Sequence, residues 1–532
     1  MTRASVIEKA EERRWWILLV LCFSLLVIVL DNSILNVAIP TIVRELDATN
    51  SDLQWIVDSY TIVFAGLLLT AGSLGDRYGR RPALQFGLAI FGLGSLLAAL
   101  SGSADELIAT RAFMGIGGAF IMPATLSIIT NVFPARERGK AIGIWAATAG
   151  VAVALGPLTG GFLLEHFYWG SVFLVNLPIV AVGLVAGVFL IPDSKDPNPL
   201  RLDPVGAVLS IVGLSALLYA VIEGPDQGWT DPTTLMSFAF GGIVLAAFFV
   251  WELRSDHPML DLSFFKNPRF SAASGAIAVT FFAMFGSIFV LTQYLQFVLG
   301  YSPLETGVRL LAFAVPMMIF APLSPRFVER LGAKVVVTTG LALMATGLLL
   351  STGLDQSSSY GAIAWRMAVM ATGMALTMAP ATDAIMGSLP LAKAGVGSAV
   401  NDTTRQIGGA VGVAVVGSVF SSIYGSQIAD AAAGQPVPPA IIDGIKDSLG
   451  FALNVASQIG GSAGAELASA ARAAFIDGFH AGLIVGGVVA AVGAVAVALW
   501  LPGRARDEDI ERQHAEYDAR EGASALHAEV TS

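Results

Sequence analysis

The sequence predicts an all-α polytopic membrane protein with fourteen transmembrane helices, arranged as two six-helix bundles with two extra helices between them. Three observations carry this. Of 532 residues, 55% are hydrophobic and only 13% charged, with a mean hydropathy of +0.72; a soluble globular chain carries roughly 25% charged residues. Apolar runs of about 20 residues, the length that spans a bilayer, recur fourteen times between polar breaks. Finally, Asp76-Arg77-Tyr78-Gly79-Arg80-Arg81 follows the second run and is echoed after the second run of the last six, as Glu329-Arg330-Leu331-Gly332-Ala333-Lys334.

The first run begins near Trp15 and closes at Pro40. It is too long for a signal-peptide core and has no small-residue cleavage site, so it reads as a retained helix. Spans two to six start near Trp55, Pro82, Ala104, Ala141 and Val172. Two more occupy 205–222 and 235–253, and the last six start near Phe270, Gly307, Val335, Gly361, Val396 and Gly478. The expected units are a tail at 1–14, a first bundle at 15–192, a linker at 193–204, the inserted helices at 205–253, a linker at 254–269, a second bundle at 270–502 and a tail at 503–532. The second bundle contains the longest connection, 425–474, rich in Ala, Gly and Ser. One short amphipathic helix is expected there, around 438–453, and no separate domain.

Charge sets the orientation. With the N-terminus inside, most of the 30 Lys and Arg fall on the cytoplasmic side, including Arg77, Arg80, Arg81, Arg136, Arg138, Lys140, Arg326, Arg330 and Lys334. The short outer loops 224–232 and 354–360 have none. This asymmetry predicts a multi-pass cell-membrane protein with both termini cytoplasmic. The net charge of −10 resides more in the acidic C-terminal tail and an outer loop than in any recognisable site. Cys22 is the sole cysteine, so no internal disulfide can form.

Asp31 fits the apolar pattern least. A carboxylate at the bilayer centre costs about 2.5–3.5 kcal/mol, so an acid there is a functional candidate, most commonly a proton carrier. Asp31 lies about 13 Å from the outer end at Pro40, and Arg111 about 9 Å past Asp105 at the same surface. The two share a depth and can interact directly or through water. Burial disfavours a charged acid and a nearby cation favours it, so opening to one side or the other can load or release a proton. A purely structural pair is the alternative.

Further candidates line a substrate cavity: Asn36 on the first span, and Asp58 and Tyr60 one turn into the second. Asp58 can equally mark a wet helix end. Asp402 and Arg405, three apart on the thirteenth span, share a face, as cavity residues or as an internal salt bridge. The ninth span is aromatic, with Phe281, Phe282, Phe285 and Phe289 preceding Gln293. Aromatic faces attract organic cations by about 0.5–2 kcal/mol, which makes Phe285 and Gln293 candidates against a lipid-facing role.

Two glycine patterns complete the inventory. Gly72-Ser-Leu-Gly75-Asp76-Arg77-Tyr-Gly79-Arg80-Arg81 brings two helices into a tight turn. In the fifth span, Ala152, Gly156 and Gly160 recur every four residues as a smooth packing face, with Pro157 bending the helix and Gly161 following. Together with Leu30-Asp31-Asn32-Ser33 and Arg111-Ala-Phe-Met-Gly115-Ile-Gly117, these segments resemble the major facilitator superfamily over about residues 15–500. Within it they are most similar to the fourteen-helix drug:proton antiporter branch, which includes quaternary-ammonium and multidrug resistance exporters. Segments 257–265, 295–303, 379–383 and 401–409 are similar too.

The resemblance implies that Gly72–Arg81 latches the inner gate and that Gly156, Pro157, Gly160 and Gly161 belong to an antiporter helix. It also implies proton-coupled efflux of lipophilic, cationic drugs and dyes by alternating access, with lipid bilayer, protons and such cations as partners. Four departures stand out. Ala152 replaces the usual first glycine and Ser33 a usual Thr. Met114 stands where Gln is common, which predicts no hydrogen bond from that position. Gly170-Ser171 replace an Arg-Trp pair, which predicts a looser outer entrance to the sixth span. The thirteenth span lacks additional acids that some exporters of bulky dications carry, which argues against dications.

Export of a dedicated endogenous metabolite or lipid-like compound fits the same motifs. A transport-inactive scaffold or receptor fits them less well, since the chain has no large soluble domain. No phosphate-binding G-x-x-x-x-G-K-[ST] loop occurs, and the five histidines are scattered with no metal-ligand spacing. The expectation is a transporter driven by a proton gradient, with no cofactor, nucleotide or nucleic acid and no enzymatic activity.

Overall fold

Among the described residues of a computed structural model, fourteen helices are long and apolar enough to cross a membrane. The structure describes residues 3–46, 50–196, 203–255, 257–432 and 439–503; the expected C-terminal tail lies, from residue 504 onward, outside them. Among the described residues every regular element is helical. The first bundle comprises α1 (Arg3–Leu46), α2 (Asn50–Tyr78), α3 (Arg80–Ala99), α4 (Ala104–Val132), α5 (Ala135–His166) and a sixth span divided into α6 (Ser171–Leu174) and α7 (Asn176–Leu190). The inserted pair is α8 (Pro204–Gln227) and α9 (Pro232–Arg254). The second bundle begins with α10 (Pro268–Gln293), extended by a π turn over Tyr294–Val298. It continues with α11 (Pro303–Arg309) and α12 (Leu311–Leu331), then α13 (Ala333–Ser351), α14 (Tyr360–Met386) and α15 (Ala394–Ala432). The short α16 (Pro439–Asp447) and α17 (Leu449–Ile459) lead to α18 (Gly461–Trp500).

Local chemistry sets where these helices begin. Side chains of Ser103, Asp203, Asp231, Asn267 and Ser359 each accept a hydrogen bond from a backbone N–H of the first turn they precede, satisfying donors that lipid cannot. Ser302 and Glu305 form a reciprocal capping box.

The bundles meet along two seams. On one, α2 and α4 pack against α15; on the other, α5 packs against α11, α12 and α14. The inserted helices are not symmetric about the molecule. α8 lies over the first seam against both α2 and α15, with Trp55 and Tyr219 rings 6.0 Å apart. α9 packs mainly on α8 and turns Leu235, Met236, Ile243 and Leu253 outward.

The echoed loops share a backbone. Gly79 (φ +119°) and Gly332 (φ +84°) each end one helix and start the next, donating to Gly75 and Val328 carbonyls at 3.0 and 2.8 Å. Only glycine adopts such a turn without strain. The side chains diverge, because Asp76 is buried and Glu329 exposed.

Several sequence expectations are corrected. α1 does not stop at Pro40 but runs to Leu46. The sixth and tenth spans are broken, at Val175 and Leu310. The connection 425–474 is mostly helical: α15 runs to Ala432, and α18 starts at Gly461 rather than near Gly478. Its alanines favour helix. Two short helices replace the single expected one because Ser448 ends one and caps the next, and Tyr424 holds them by donating to the Ile445 carbonyl at 3.0 Å. The outer entrance to the sixth span is tight, not loose: Gly170 sits so close to the Ala99 carbonyl that a side chain would collide with it.

Candidate functional site

Asp31 and Arg111 are fully buried in the first bundle. Arg111 donates from Nη1 to Asp31 Oδ2 at 2.5 Å, from Nη2 to Asn32 Oδ1 at 3.2 Å and from Nε to the Ile56 carbonyl at 3.2 Å. Its guanidinium lies 4.4 Å from the centroid of the Tyr60 ring, which joins this cluster. The other Asp31 oxygen accepts from Asn176 Nδ2 at 2.7 Å, and the same nitrogen donates to Ser95 Oγ at 3.1 Å. Both oxygens of the acid therefore face donors from other helices, an arrangement suited to an ionised carboxylate.

Asn176 was not singled out from the sequence. The break at Val175 makes it the first residue of α7 and aims it at Asp31; its signal was an amide inside an apolar span. Met114 does accept a weak bond, since the Ser95 hydroxyl faces its sulfur at 4.0 Å, which corrects the expectation of none. Replacing Asn176 by Leu removes a charge-assisted bond from a buried acid. A loss of about 1–3 kcal/mol is expected, visible as a lower thermal midpoint in detergent.

The second constellation is the Gly72–Arg81 segment, the one expected to latch the inner gate. Asp76 Oδ1 accepts from Arg80 Nε at 3.0 Å and Nη2 at 2.7 Å. The same carboxylate crosses to the other bundle, where Gly395 N–H reaches Oδ1 at 2.8 Å and Val396 N–H reaches Oδ2 at 3.0 Å. It thus occupies the positive N-terminal end of α15. Arg80 Nη2 donates to the Leu391 and Ala392 carbonyls at 2.8 and 3.0 Å. Gly72 and Gly395 permit this because their backbones touch. Gly75 is buried beside Ala83, Arg77 lies over the Tyr78 ring, and Arg81 reaches the Ile191 carbonyl at 3.5 Å. On the second seam, Gly143 lies against the Ala321 backbone. The bundles are closed together at this face.

The glycines of α5 are spent on close approach. A side chain at Gly156 would overlap Ser33, whose hydroxyl donates to the Val153 carbonyl at 3.0 Å. Gly160 faces Ile34, and Gly307 of α11 presses on Pro157. Gly161 has looser surroundings, with Leu304 Cδ1 3.7 Å from where a Cβ would sit.

The remaining candidates are dispersed. Asp402 and Arg405 are buried on α15 with 3.8 Å between carboxylate and guanidinium. Arg405 also donates to Thr382 Oγ1 at 3.0 Å and lies over the rings of Trp145 and Phe281. Asp58 is buried on α2. Phe285 is partly exposed and covers Gly409 of α15, and Gln293 donates to the Phe289 carbonyl at 3.5 Å. Asn36 lies on α1, its side chain outside those described. A small cavity of about 10 Å³, room for no more than a water, lies between the bundles and is lined by Val153, Ile288, Leu291, Phe313, Met367 and Met370. Its missed signal was methionine at helical spacing on α14, where the soft thioether adapts to different shapes.

Two helical bundles meeting at a buried interface, in a chain with fourteen apolar spans among its described residues, have the architecture of a membrane transporter. The chain belongs to the Major Facilitator Superfamily, whose model matches residues 21–413. It is 39% identical over 406 residues to multidrug efflux pump LfrA of Mycolicibacterium smegmatis, covering 76% of this chain and 80% of that protein. It is 36% identical over 412 residues to methyl viologen resistance protein SmvA of Salmonella typhimurium, covering 76% and 82%. The crystal structure of the human organic anion transporter MFSD10 (TETRAN) shares the fold, with a TM-score of 0.61 at 13% identity over 92% of this chain and 99% of that one.

Proposed function

We propose that this protein is a proton-coupled antiporter that exports lipophilic, cationic small molecules across the cell membrane, with both termini and the latch on the cytoplasmic side. The observation that carries the reading is the Asp31–Arg111 pair. It is fully buried and bonded from two other helices, α2 through the Ile56 carbonyl and α7 through Asn176, in a location where a charge serves packing poorly. The names of LfrA and SmvA support drug efflux, and SmvA in particular supports a cationic cargo.

In the proposed cycle, the bundles open toward the cytoplasm and cargo enters between them while Asp31 is ionised. The units 15–192 and 270–502 rock, the Asp76–Arg80 latch closes behind the cargo, and release follows on the outer side. The closed latch with Asp31 held by donors on both oxygens is then the state that awaits a proton from outside. Protonation weakens the tie to Arg111 and resets the carrier.

The test is ethidium accumulation in proteoliposomes. An acidic lumen should drive uptake of the dye, and an ionophore that collapses the pH gradient should abolish it. Uptake indifferent to the gradient would overturn coupling. A carrier that ignores dyes but takes up one compound would point to dedicated metabolite export.

A further inference from the structure

The latch has a component that the loop motif does not contain. After α7, residues Ile191–Asp196 turn back beneath the α2–α3 turn and bond to it as an extended strap. Arg80 N–H donates to the Ser194 carbonyl at 2.9 Å, and Asp196 N–H donates to the Asp76 carbonyl at 2.8 Å. Gly79 accommodates the strap, since a Cβ there would lie 2.8 Å from Asp193 Oδ1. These bonds carry the Asp196 carboxylate to the other bundle, where its Oδ2 lies 3.5 Å from Lys393 Nζ. Lys393 belongs to the same short turn whose carbonyls Arg80 caps, immediately before α15. Asp196 is 4% exposed, and the Lys393 side chain 14%.

We propose that Asp196 is a positioning residue of the gate, forming with Lys393 a second ionic tie between the bundles. The proposal rests on the reading of Asp76–Arg80 as the gate and extends it. The two ties differ in kind. Asp76 meets backbone N–H groups of α15 and needs no particular side chain opposite it. Asp196 requires the cation of Lys393, so the pair can be exchanged.

Cys22 is the only cysteine, so a Cys22→Ala background accepts spin labels at two chosen sites. Tyr78 and Leu331 are suitable, 59% and 57% exposed at the ends of α2 and α12. In full-length protein in nanodiscs, Asp196→Asn should raise the ratio of open to closed label distances about fivefold, the range for a single incompletely buried ion pair. The exchange Asp196→Lys with Lys393→Asp should return it toward the unsubstituted value. Opening that the exchange fails to reverse would overturn the ion pair. No opening in Asp196→Asn, while Asp76→Asn does open, would overturn this inference and leave the gate standing. If neither variant opens, the gate reading falls with it.

Discussion

Asp31→Asn should reduce gradient-driven export to below about 1% of the unsubstituted rate, within the range that a single proton-transfer group contributes. Downhill exchange of dye across the same membrane should persist. The amide is nearly isosteric and still offers an oxygen to Arg111. Its amide nitrogen faces Asn176 Nδ2, a donor 2.7 Å from Asp31 Oδ1, so that bond is lost. Arg111 keeps the Asn32 oxygen, the Ile56 carbonyl and the Tyr60 ring, and these limit the penalty of 3–5 kcal/mol expected when a buried ion pair loses one partner. Measuring accumulation and exchange in the same proteoliposomes separates a coupling defect from a damaged protein. Accumulation that survives in the variant would remove Asp31 from the proton path.

The contrast with Arg405 sharpens this expectation. Asp402 and Arg405 are equally buried, yet their separation is 3.8 Å, and Arg405 is also engaged by Thr382, Trp145 and Phe281. Trp145 belongs to the opposite bundle. The pair therefore reports on the interface between bundles, whereas Asp31 is sealed within one.

What the sequence made legible follows from how each feature is encoded. The fourteen spans are written in local hydropathy, and the Gly72–Arg81 turn in a contiguous motif, so both could be read directly. Asp31 and Arg111 could be paired by depth because helix rise converts residue number to height. Depth carries no information about azimuth. Asn176 reaches the acid, Ser95 reaches Asn176 and Tyr60 covers Arg111, from three further helices, and only tertiary packing brings them together. Asp196 and Lys393 are almost 200 residues apart on connections with no periodicity, so nothing local joins them. Composition misled at 425–474, where alanine and glycine read as a loop but alanine also sustains helix. The small gap between the bundles is lined by aliphatic residues, methionines and Phe313 of four helices, residues that resemble ordinary core in sequence.

The second large effect is expected at Gly72. A Cβ there would lie 2.5 Å from the Gly395 carbonyl oxygen and 2.7 Å from Ala399 Cβ. The first obstacle is backbone, so no rotamer change relieves it, and α2 and α15 must separate. Even a small separation stretches the 2.8 and 3.0 Å bonds from Gly395 and Val396 to Asp76, and hydrogen bonds weaken steeply when lengthened or bent. Gly72→Val should therefore hold the latch open and lower transport more than about tenfold, the equivalent of two ordinary hydrogen bonds. The clash lies between the bundles and not within either, so the thermal midpoint should change little. Gly161→Ala supplies the comparison. Its added carbon would sit 3.7 Å from Leu304 Cδ1, an ordinary contact, and transport should be retained. If both glycines proved equally tolerant, close approach at the latch would not be what the motif encodes. If both proved equally sensitive, the loss would come from helix packing in general, and the spin-label distance in Gly72→Val would remain that of the closed state.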